Sequence, residues 1–475
     1  MTLPPEHSRA DSVVAPPPQC PAHDLGPGGV TRLYGKEAEA DPMGLYERLR
    51  QQHGQVAPVL LYGDLPAWLV LGYRENLDVA RTPSRFSRDS RLWNLAREGK
   101  VPPDHPLAPI TTYQPICVFA DGTQHERWRG AVNDAIARFD KRGIRRHVTH
   151  FSNQLVDRFC ASGRADLVSQ FADHLPMMAM TQLLGMPEVY SQRLVDAARD
   201  MIKGTETAVS SNAFVQETLR KLVARKRVEP GADFTTWLLE HPAGLSDDEV
   251  QQHLRLVLIA AYETTANLIA NTLKMVLTDV RFRASLAGGH MTLPDAVEQV
   301  LWDEPPFIAI LGRWATQDTE LAGQQIKQGD ALVLGLAAAN MDTVVRPDPD
   351  APIHGNRSHL AFSGGQHECP GQDVGRAIAD TGIDALLLRL PDLTLAVDES
   401  SLDYSSVLMS RHLQSLPVKF TAQRPRPEVP ADPVVVEPAV PSQPAQPVLT
   451  PVTADRPAPS RRSWWRSLRS WLRRG

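Results

Sequence analysis

The sequence predicts a mainly α-helical globular domain that carries a small β-rich part. The chain has 475 residues, of which 42% are hydrophobic, and this is enough to fill a large core. Residues 246–287 contain no glycine or proline and show helical periodicity, which indicates one long helix. Short apolar runs such as residues 331–337 have the composition of strands. Helices therefore dominate the predicted fold.

The long helix has a clear start signal. Ser246 and Glu249 form a capping box, S-D-D-E, ahead of the apolar periodic stretch. A helix of roughly 34 residues would be about 50 Å long, enough to cross a whole domain. Further helices are predicted from Pro294 to about Trp302 and from Asp373 to Leu390.

Composition divides the chain into four segments. Residues 1–28 are rich in proline and lack periodicity, which predicts a disordered leader. Residues 29–422 form the globular domain. In residues 423–459 prolines recur every few positions, which is typical of an extended linker. Residues 460–475 are predicted to form a basic amphipathic tail helix.

Charge and cysteine content exclude several classes of protein. The net charge of −5 and the pI near 6.3 carry no signature of nucleic-acid binding. The N-terminus lacks the apolar core of a signal peptide, and no window offers 18 uninterrupted apolar residues. The four cysteines form no C-x-x-C pair, which argues against a disulfide framework and favours the cytoplasm. They are Cys20, Cys117, Cys160 and Cys369.

The strongest chemical signal is the segment from Phe362 to Gly371, which reads FSGGQHECPG. This glycine-rich loop presents Cys369 just before a predicted helix. Backbone amides and a helix N-terminus stabilise a thiolate, and a thiolate is a strong electron donor to haem iron. His367, two residues earlier, is a basic group that can meet a haem propionate. The alternative is a buried structural cysteine in a glycine-rich turn.

This segment resembles the haem loop of the cytochrome P450 family, F-x-x-G-x-(H/R)-x-C-x-G, with Phe362, Gly365, His367, Cys369 and Gly371 at the fixed positions. The resemblance covers residues 30–420. It implies a helical haem domain with a small β-rich lobe, haem b as cofactor and Cys369 as axial ligand to the iron. It also implies monooxygenation, in which RH, O₂, two electrons and two protons give ROH and water.

The long helix carries a second motif of the family. Residues 260–265, AAYETT, resemble the oxygen-binding segment in which an acid and a threonine relay protons to dioxygen. These residues are Glu263 and Thr264 here, and one ordered water between them suffices for such a relay. The alternative is a solvated Glu263 and a Thr264 hydroxyl bonded to the preceding turn. The alignment also predicts that Tyr262 points toward the iron.

Four further basic residues match the family's contacts to the haem propionates. His125 and Arg129 are four residues apart and share one helix face. Arg313 matches an arginine on the strand after the Pro-Pro pair, and His359 matches a histidine just before the haem loop. A lone surface Arg or His is usually solvated, but four at matching positions favour haem binding.

The chain departs from the family at its E-x-x-R motif. Gln299 and Trp302 stand in place of the glutamate and the arginine, and Ala351 stands in place of the later arginine that completes the ion triad. Replacing a whole buried ion set can be neutral, whereas removing one member costs about 3–5 kcal/mol. We therefore predict a repacked neutral core in which Gln299 and Trp302 bond or stack. This pattern resembles an actinobacterial branch of the family that carries Q-x-x-W.

The tail predicts a membrane contact. On a helical wheel, three tryptophans and two leucines face an arginine side without any acid, which suits an anionic bilayer surface. The localisation that follows is cytoplasmic, with a peripheral position on the inner face of the cell membrane. The alternative is a solvated or partner-binding tail. The apolar residues are Trp464, Trp465, Leu468, Trp471 and Leu472, and the basic ones are Arg462, Arg466, Arg469 and Arg473.

Electrons must come from outside the chain, because it contains no flavin or dinucleotide fingerprint such as G-x-G-x-x-G. The resemblance implies a ferredoxin and its NAD(P)H-dependent reductase as partners. The alternative function is a membrane-recruited haem-binding signalling or scaffold component with little turnover. A small organic substrate would bind near residues 87–118 and 170–215, and its identity is not readable from the sequence.

Overall fold

A computed structural model describes residues 30–203, 207–279, 292–348, 353 and 355–426. The predicted leader and tail, the linker beyond Arg426, and Ala351 lie outside the described residues.

Helices form most of the described structure, as predicted. They are α1 (Lys36–Ala40), α2 (Pro42–His53), α3 (Tyr73–Arg81), α4 (Asn94–Arg97), α5 (Ala108–Thr111), α6 (Gly122–Ala137), α7 (Lys141–Phe159), α8 (Leu175–Leu183), α9 (Ser191–Lys203), α10 (Ala208–Val228), α11 (Phe234–Leu239), α12 (Asp247–Thr278), α13 (Leu293–Asp303), α14 (Leu336–Asn340) and α15 (Gln372–Arg389).

The strands are short and fall into small sheets. They are β1 (Thr31–Arg32), β2 (Val56–Leu61), β3 (Leu65–Val70), β4 (Phe86–Ser87), β5 (Arg164–Asp166), β6 (Ile310–Ala315), β7 (Thr319–Leu321), β8 (Gln324–Ile326), β9 (Ala331–Leu334), β10 (Thr394–Leu395), β11 (Tyr404–Ser406), β12 (Arg411–Leu413) and β13 (Pro417–Lys419). The largest sheet has the order β1-β2-β3-β9-β6-β4, and a second has the order β10-β13-β5. Strands β11 and β12 pair with each other, as do β7 and β8.

Helix α12 is the long helix that the sequence predicts. The capping box is present: the Ser246 hydroxyl accepts from the Glu249 amide at 3.2 Å, and the Glu249 carboxylate accepts from the Ser246 amide at 2.9 Å. The helix has 32 residues and ends at Thr278. It is long and apolar enough to pass as a membrane span by composition, yet 61% of its apolar window is buried inside the domain. The burial identifies α12 as the core helix.

The other predicted elements agree within a residue or two. Helix α13 begins at Leu293 behind a second capping box, formed by Thr292 and Asp295, and α15 begins at Gln372. The predicted strand over residues 331–337 is shorter than expected. The Gly335 amide still bonds to the Val70 carbonyl oxygen at 2.9 Å, but the strand ends at Leu334 because helix α14 begins at Leu336.

Helix α12 joins the two largest hydrophobic clusters. Its first half packs with α9, α10 and α11, where Leu254 and Leu258 are fully buried. Its second half packs with α7, α8 and α15 through Ile269 and Leu273. Positions 260–265 lie between these two halves, at the centre of the domain.

Candidate active site

The loop before α15 has the constrained backbone that its glycines predict. Gly365 has a φ of +71°, and a Cβ at this position would collide with the carbonyl oxygen of Ala80. Only glycine fits such a position without strain. The Cys369 amide donates to the Phe362 carbonyl oxygen at 3.0 Å, which closes the loop. Gly371 is the residue that precedes the first turn of α15, so the sulfur lies at the helix N-terminus.

The Cys369 sulfur lies in an environment suited to a metal ligand. Burial raises the pKa of the thiol above its ordinary value, whereas the Gly371 amide and the charge of Arg129 oppose this rise. Burial is the largest of these effects, because a buried thiolate without a cation is costly. A bound metal ion supplies that cation and favours the thiolate.

His125 and Arg129 lie on the face of α6 that meets the loop, as predicted. The ring of His125 lies 4.3 Å from the ring of His367, measured between centroids. The Arg129 guanidinium donates to the backbone carbonyl oxygen of Glu368 and, at 2.8 Å, to the Asn133 side chain. Burial lowers the pKa of His367 to about 3, so this ring is neutral at physiological pH.

Arg313 belongs to the same region, together with Arg88 and Asp121, which the sequence analysis did not single out. Arg313 is 3% exposed, and Arg88 donates to the carbonyl oxygens of Val118 and Gly312 at 2.9 and 2.6 Å. Burial lowers the pKa of Arg313 well below its ordinary value, and the neighbouring charge of Arg88 lowers it further. The buried guanidinium of Arg313 thus lies near the partly buried Arg88.

Asp121 is the carboxylate that partly balances these cations. It accepts from the Ser87 hydroxyl at 2.5 Å and from the Arg88 amide at 2.9 Å, and the His367 ring nitrogen Nε2 lies 3.3 Å away. Burial alone would raise its pKa, but the hydrogen bonds from His367 and Ser87 lower it to about 2. One ionised carboxylate therefore lies near two guanidinium groups, those of the partly buried Arg88 and the buried Arg313.

The region has an excess of hydrogen-bond donors and positive charge. The buried Nε2 of His125 has no hydrogen-bond partner, and Arg313 forms no salt bridge with a carboxylate, within the described residues. Buried cations and unpaired polar atoms are costly unless a partner compensates them. A haem fits this donor set, since its iron would take the Cys369 sulfur and its propionates would accept from the cations.

Helix α12 presents Glu263 and Thr264 at the centre of the domain. The Glu263 carboxylate accepts from the Ser410 hydroxyl at 3.0 Å, and the Thr264 hydroxyl donates to the Ala260 carbonyl oxygen at 2.7 Å. The second bond is the one that the alternative interpretation of Thr264 predicts. A Cβ on Gly375 of α15 would lie 3.7 Å from the Thr265 hydroxyl, so α12 passes beside the first turns of α15.

Two predicted orientations are not seen. Tyr262 is buried between α12 and α9, where its hydroxyl bonds to Arg199, which in turn pairs with Asp173. The prediction that Tyr262 points toward the iron is therefore wrong in this structure. A buried phenol bonds to whatever polar partner is in reach, and Arg199 supplies it.

The predicted orientation of His359 is not seen either, because the structure does not bring this residue to the other residues that were predicted to bind the propionates. Its Nε2 donates to the Glu298 carboxylate at 3.1 Å, and its Nδ1 accepts from the Ala361 amide at 3.2 Å. Both ring nitrogens are therefore engaged, which leaves no N–H for a propionate. The carboxylate of Glu298, on the neighbouring helix, determines the orientation of this ring.

The predicted neutral core around the altered E-x-x-R motif is a further correction. Trp302 donates to the Asn356 carbonyl oxygen at 2.8 Å, and Gln299 donates to the Asp303 carboxylate at 2.6 Å, so they do not bond to each other. Asp303 also pairs with Arg346. Buried charge is therefore retained here, although the ancestral ion pair is absent.

The sequence analysis overlooked four residues: Arg88, Asp121, Glu298 and Arg376. Asp121 lies directly before α6, but its side chain caps no amide of that helix and bonds to Ser87 and Arg88 instead, so a capping signal would not have revealed its role. Glu298 lies next to Gln299, and Arg376 follows Cys369 by two turns of helix. Their partners are distant in sequence, so local spacing did not reveal them.

We expect Glu263→Gln to stabilise the protein more at pH 8 than at pH 5. Burial raises the pKa of Glu263 above its ordinary value of 4.5, so the folded state binds this proton more tightly than the unfolded state. Stability is therefore lost as the pH rises from 4.5 through the folded-state pKa. Glutamine keeps the shape and cannot ionise. Melting temperatures of both proteins across this pH range test the prediction, with the exposed Glu229→Gln as control; a constant difference would contradict it.

Comparison with known proteins agrees with this site. The chain is 30% identical over 414 residues to the cytochrome P450 monooxygenase PikC of Streptomyces venezuelae, covering 85% of this chain and 95% of that protein. It is 30% identical over 395 residues to the 2-hydroxy-5-methyl-1-naphthoate 7-hydroxylase of Streptomyces carzinostaticus, covering 80% of this chain and 95% of that protein.

Among solved structures, CYP154C4 from Streptomyces sp. W2061 superposes with a TM-score of 0.75 at 26% identity, covering 82% of this chain and 97% of that one. This likeness confirms the predicted mainly α fold. The sequence matches no protein-family model. The extent of the similarity, together with a donor set that fits haem b, leads to one conclusion: the chain belongs to the cytochrome P450 family and is a haem-dependent monooxygenase.

Proposed function

We propose that this enzyme oxidises a small organic substrate with electrons from an external ferredoxin and its reductase. The observation that supports this most directly is the Cys369 sulfur at the N-terminus of α15, in a region where the buried Arg313 forms no salt bridge within the described residues. The absence of a flavin or dinucleotide fingerprint from the sequence supports an external electron source.

In this proposal the haem supplies the activation of dioxygen when it is bound. Cys369 would bind the iron through its sulfur. His125, Arg129 and Arg313 would hold the propionates, with Arg88 beside them, while the His367 ring lies against that of His125. Phe362, Gly365 and Gly371 shape the loop. Phe362 closes it through its carbonyl oxygen, Gly365 allows close approach to the Ala80 carbonyl oxygen, and Gly371 precedes the first turn of α15.

Glu263 and Thr264 are the proposed proton-delivery residues. Burial raises the pKa of Glu263, which brings the carboxyl closer to the range in which it can both hold and release a proton. The Thr264 hydroxyl donates to Ala260, so its oxygen remains able to accept a hydrogen bond from water. Together they provide a donor and a relay on adjacent positions of α12.

The carbon monoxide difference spectrum of the purified protein tests the function. The protein is reduced once with dithionite and once with NADPH, ferredoxin and reductase. We expect a strongly red-shifted, thiolate-type Soret band by both routes. A band with dithionite alone would favour the signalling or scaffold function, and no such band by either route would refute thiolate ligation.

We also propose that the tail recruits the cytoplasmic enzyme to the inner face of the cell membrane. Its sequence supports this: residues 460–475 carry three tryptophans and six arginines and no acid. Residues 423–459, as an extended linker, would reach on the order of 100 Å at about 3.1 Å per residue. A tail of this length would become helical only on the bilayer surface.

The intact protein is expected to bind phosphatidylglycerol vesicles, and removal of residues 460–475 is expected to abolish this binding. Each arginine near an anionic surface contributes about 1 kcal/mol, so replacing four arginines by glutamine should weaken binding roughly 1,000-fold. The four are Arg462, Arg466, Arg469 and Arg473. Vesicle sedimentation measures this, with phosphatidylcholine vesicles as control. Equal binding of the intact and truncated chains would refute the membrane role.

A further inference from the structure

A single buried carboxylate, Glu298, connects α13 to both sides of the Cys369 loop. It is 3% exposed. On one side it accepts from Arg376 of α15, with Nε at 2.6 Å and the second guanidinium nitrogen at 3.2 Å. On the other side it accepts from Nε2 of His359 at 3.1 Å, and Arg357 lies 3.3 Å away. The loop that carries the sulfur lies between these partners in sequence.

The contacts continue from these partners to the cysteine. The Arg376 guanidinium lies 4.5 Å from the centroid of the Phe362 ring, and the Phe362 carbonyl oxygen accepts from the Cys369 amide at 3.0 Å. The ring of His359 lies 5.7 Å from the same phenylalanine ring. Phe362 is therefore held between two side chains that Glu298 orients.

Arg376 also brings a positive charge close to the loop, because its guanidinium lies over the Phe362 ring whose residue bonds to the Cys369 amide. Burial alone would raise the pKa of Glu298, but its bonds from His359 and Arg376 lower it, so this carboxylate is ionised. Its negative charge reduces the net positive charge that Arg376 presents to the thiolate.

We infer that Glu298 is a positioning residue that fixes the Cys369 loop and moderates the effect of the Arg376 charge on the thiolate. In this chain it provides a charged connection between α13 and the haem loop, one helix position before the Gln299 that replaces the family's glutamate. The inference rests on the proposed ligation by Cys369. A merely structural carboxylate would affect stability alone, whereas this one also affects the electronic state of the iron–sulfur bond.

The test compares Glu298→Gln, Glu298→Asp and the double variant Glu298→Gln with Arg376→Gln, all as full-length haem protein. Glu304→Gln is the matched control, because Glu304 follows the end of α13 and pairs with Lys274 instead of the loop. The readouts are the reduction potential of the haem, the thiolate-type Soret band of the ferrous carbon monoxide complex, and the melting temperature.

Glu298→Gln is expected to raise the reduction potential, because an unbalanced Arg376 withdraws electron density from the thiolate. It is also expected to lose most of the thiolate-type band, because the neutral side chain no longer fixes the loop that positions the sulfur. Glu298→Asp keeps the charge and should recover the wild-type potential at least in part. The double variant removes both charges and should return the potential toward wild type even if it is less stable.

Wild-type potential and band in Glu298→Gln would overturn the inference, whatever its melting temperature. If that variant binds no haem, Arg376→Gln alone is compared with the double variant. Arg376→Gln should lower the potential, because it leaves the Glu298 carboxylate unbalanced. A double variant with the same lowered potential would overturn the inference, because no charge compensation would then exist. A wild-type protein without the thiolate-type band would instead overturn the proposed ligation by Cys369.

Discussion

Replacing Cys369 by serine is expected to remove the thiolate-type, red-shifted Soret band of the ferrous carbon monoxide complex completely. A serine hydroxyl is nearly the size of the thiol but does not supply the electron-rich sulfur that produces this band. The bond from the backbone amide of position 369 to the Phe362 carbonyl oxygen does not involve the side chain, so the fold of the loop should survive. The carbon monoxide difference spectrum and the far-ultraviolet circular dichroism separate loss of ligation from loss of folding.

Cys117 provides a matched control, because it is a second buried thiol that also feels the charges of Arg129 and Arg88. Burial raises the pKa of Cys117 to about 11, and its amide donates to Nε2 of His253 at 3.1 Å. Unlike Cys369, it does not lie in a glycine-rich loop at the N-terminus of an α-helix. Cys117→Ser should therefore retain the thiolate-type band. Loss of the band in this variant, with retention in Cys369→Ser, would reassign the axial ligand.

The parts of the fold that the sequence predicts well depend on local signals. The start of α12 follows from Ser246 and Glu249, whose side chains bond to backbone groups within one turn. The tight Cys369 loop follows in part from its glycines, since Gly365 has a left-handed backbone that glycine adopts without strain. In both cases the determining contact lies within a few residues or is required by the backbone itself.

The contacts that the sequence does not reveal join distant residues. Asp121 meets His367 across 246 positions, and Glu298 meets Arg376 across 78. The identity of each partner depends on how α6, α13 and α15 pack, which no local pattern encodes. The assignment of His359 to a propionate failed for the same reason. The family motif gives the position of His359 in the chain, but the distant Glu298 determines where its ring points.

The lost ion triad illustrates the same limit. Three substitutions, at Gln299, Trp302 and Ala351, indicate that a charged set has been removed, and a neutral replacement is a reasonable expectation. The structure instead has a buried carboxylate at the adjacent position, Glu298, and a second ion pair between Asp303 and Arg346. A substitution pattern shows which partners are absent, but it does not show which neighbouring charges compensate for them.

Trp302→Arg, which restores the family's usual residue, is expected to destabilise the protein instead of repairing it. Trp302 is 1% exposed, its Nε1 donates to Asn356, and its ring packs against His359 with centroids 5.8 Å apart. An arginine would lose this packing and would bury a guanidinium whose nearest acids, Glu298 and Asp303, already have partners. An incompletely paired buried charge costs about 3–5 kcal/mol.

Trp302→Phe is the matched control, because it keeps an aromatic ring against His359 and loses the hydrogen bond to Asn356, at a cost of about 1 kcal/mol. Stability should therefore decrease from wild type to Trp302→Phe and further to Trp302→Arg. Thermal unfolding and the haem bound per chain measure this. A higher melting temperature or haem content in Trp302→Arg would mean that the ancestral pair can still form. In that case the contacts of Glu298 would not be the replacement for the family's ion pair.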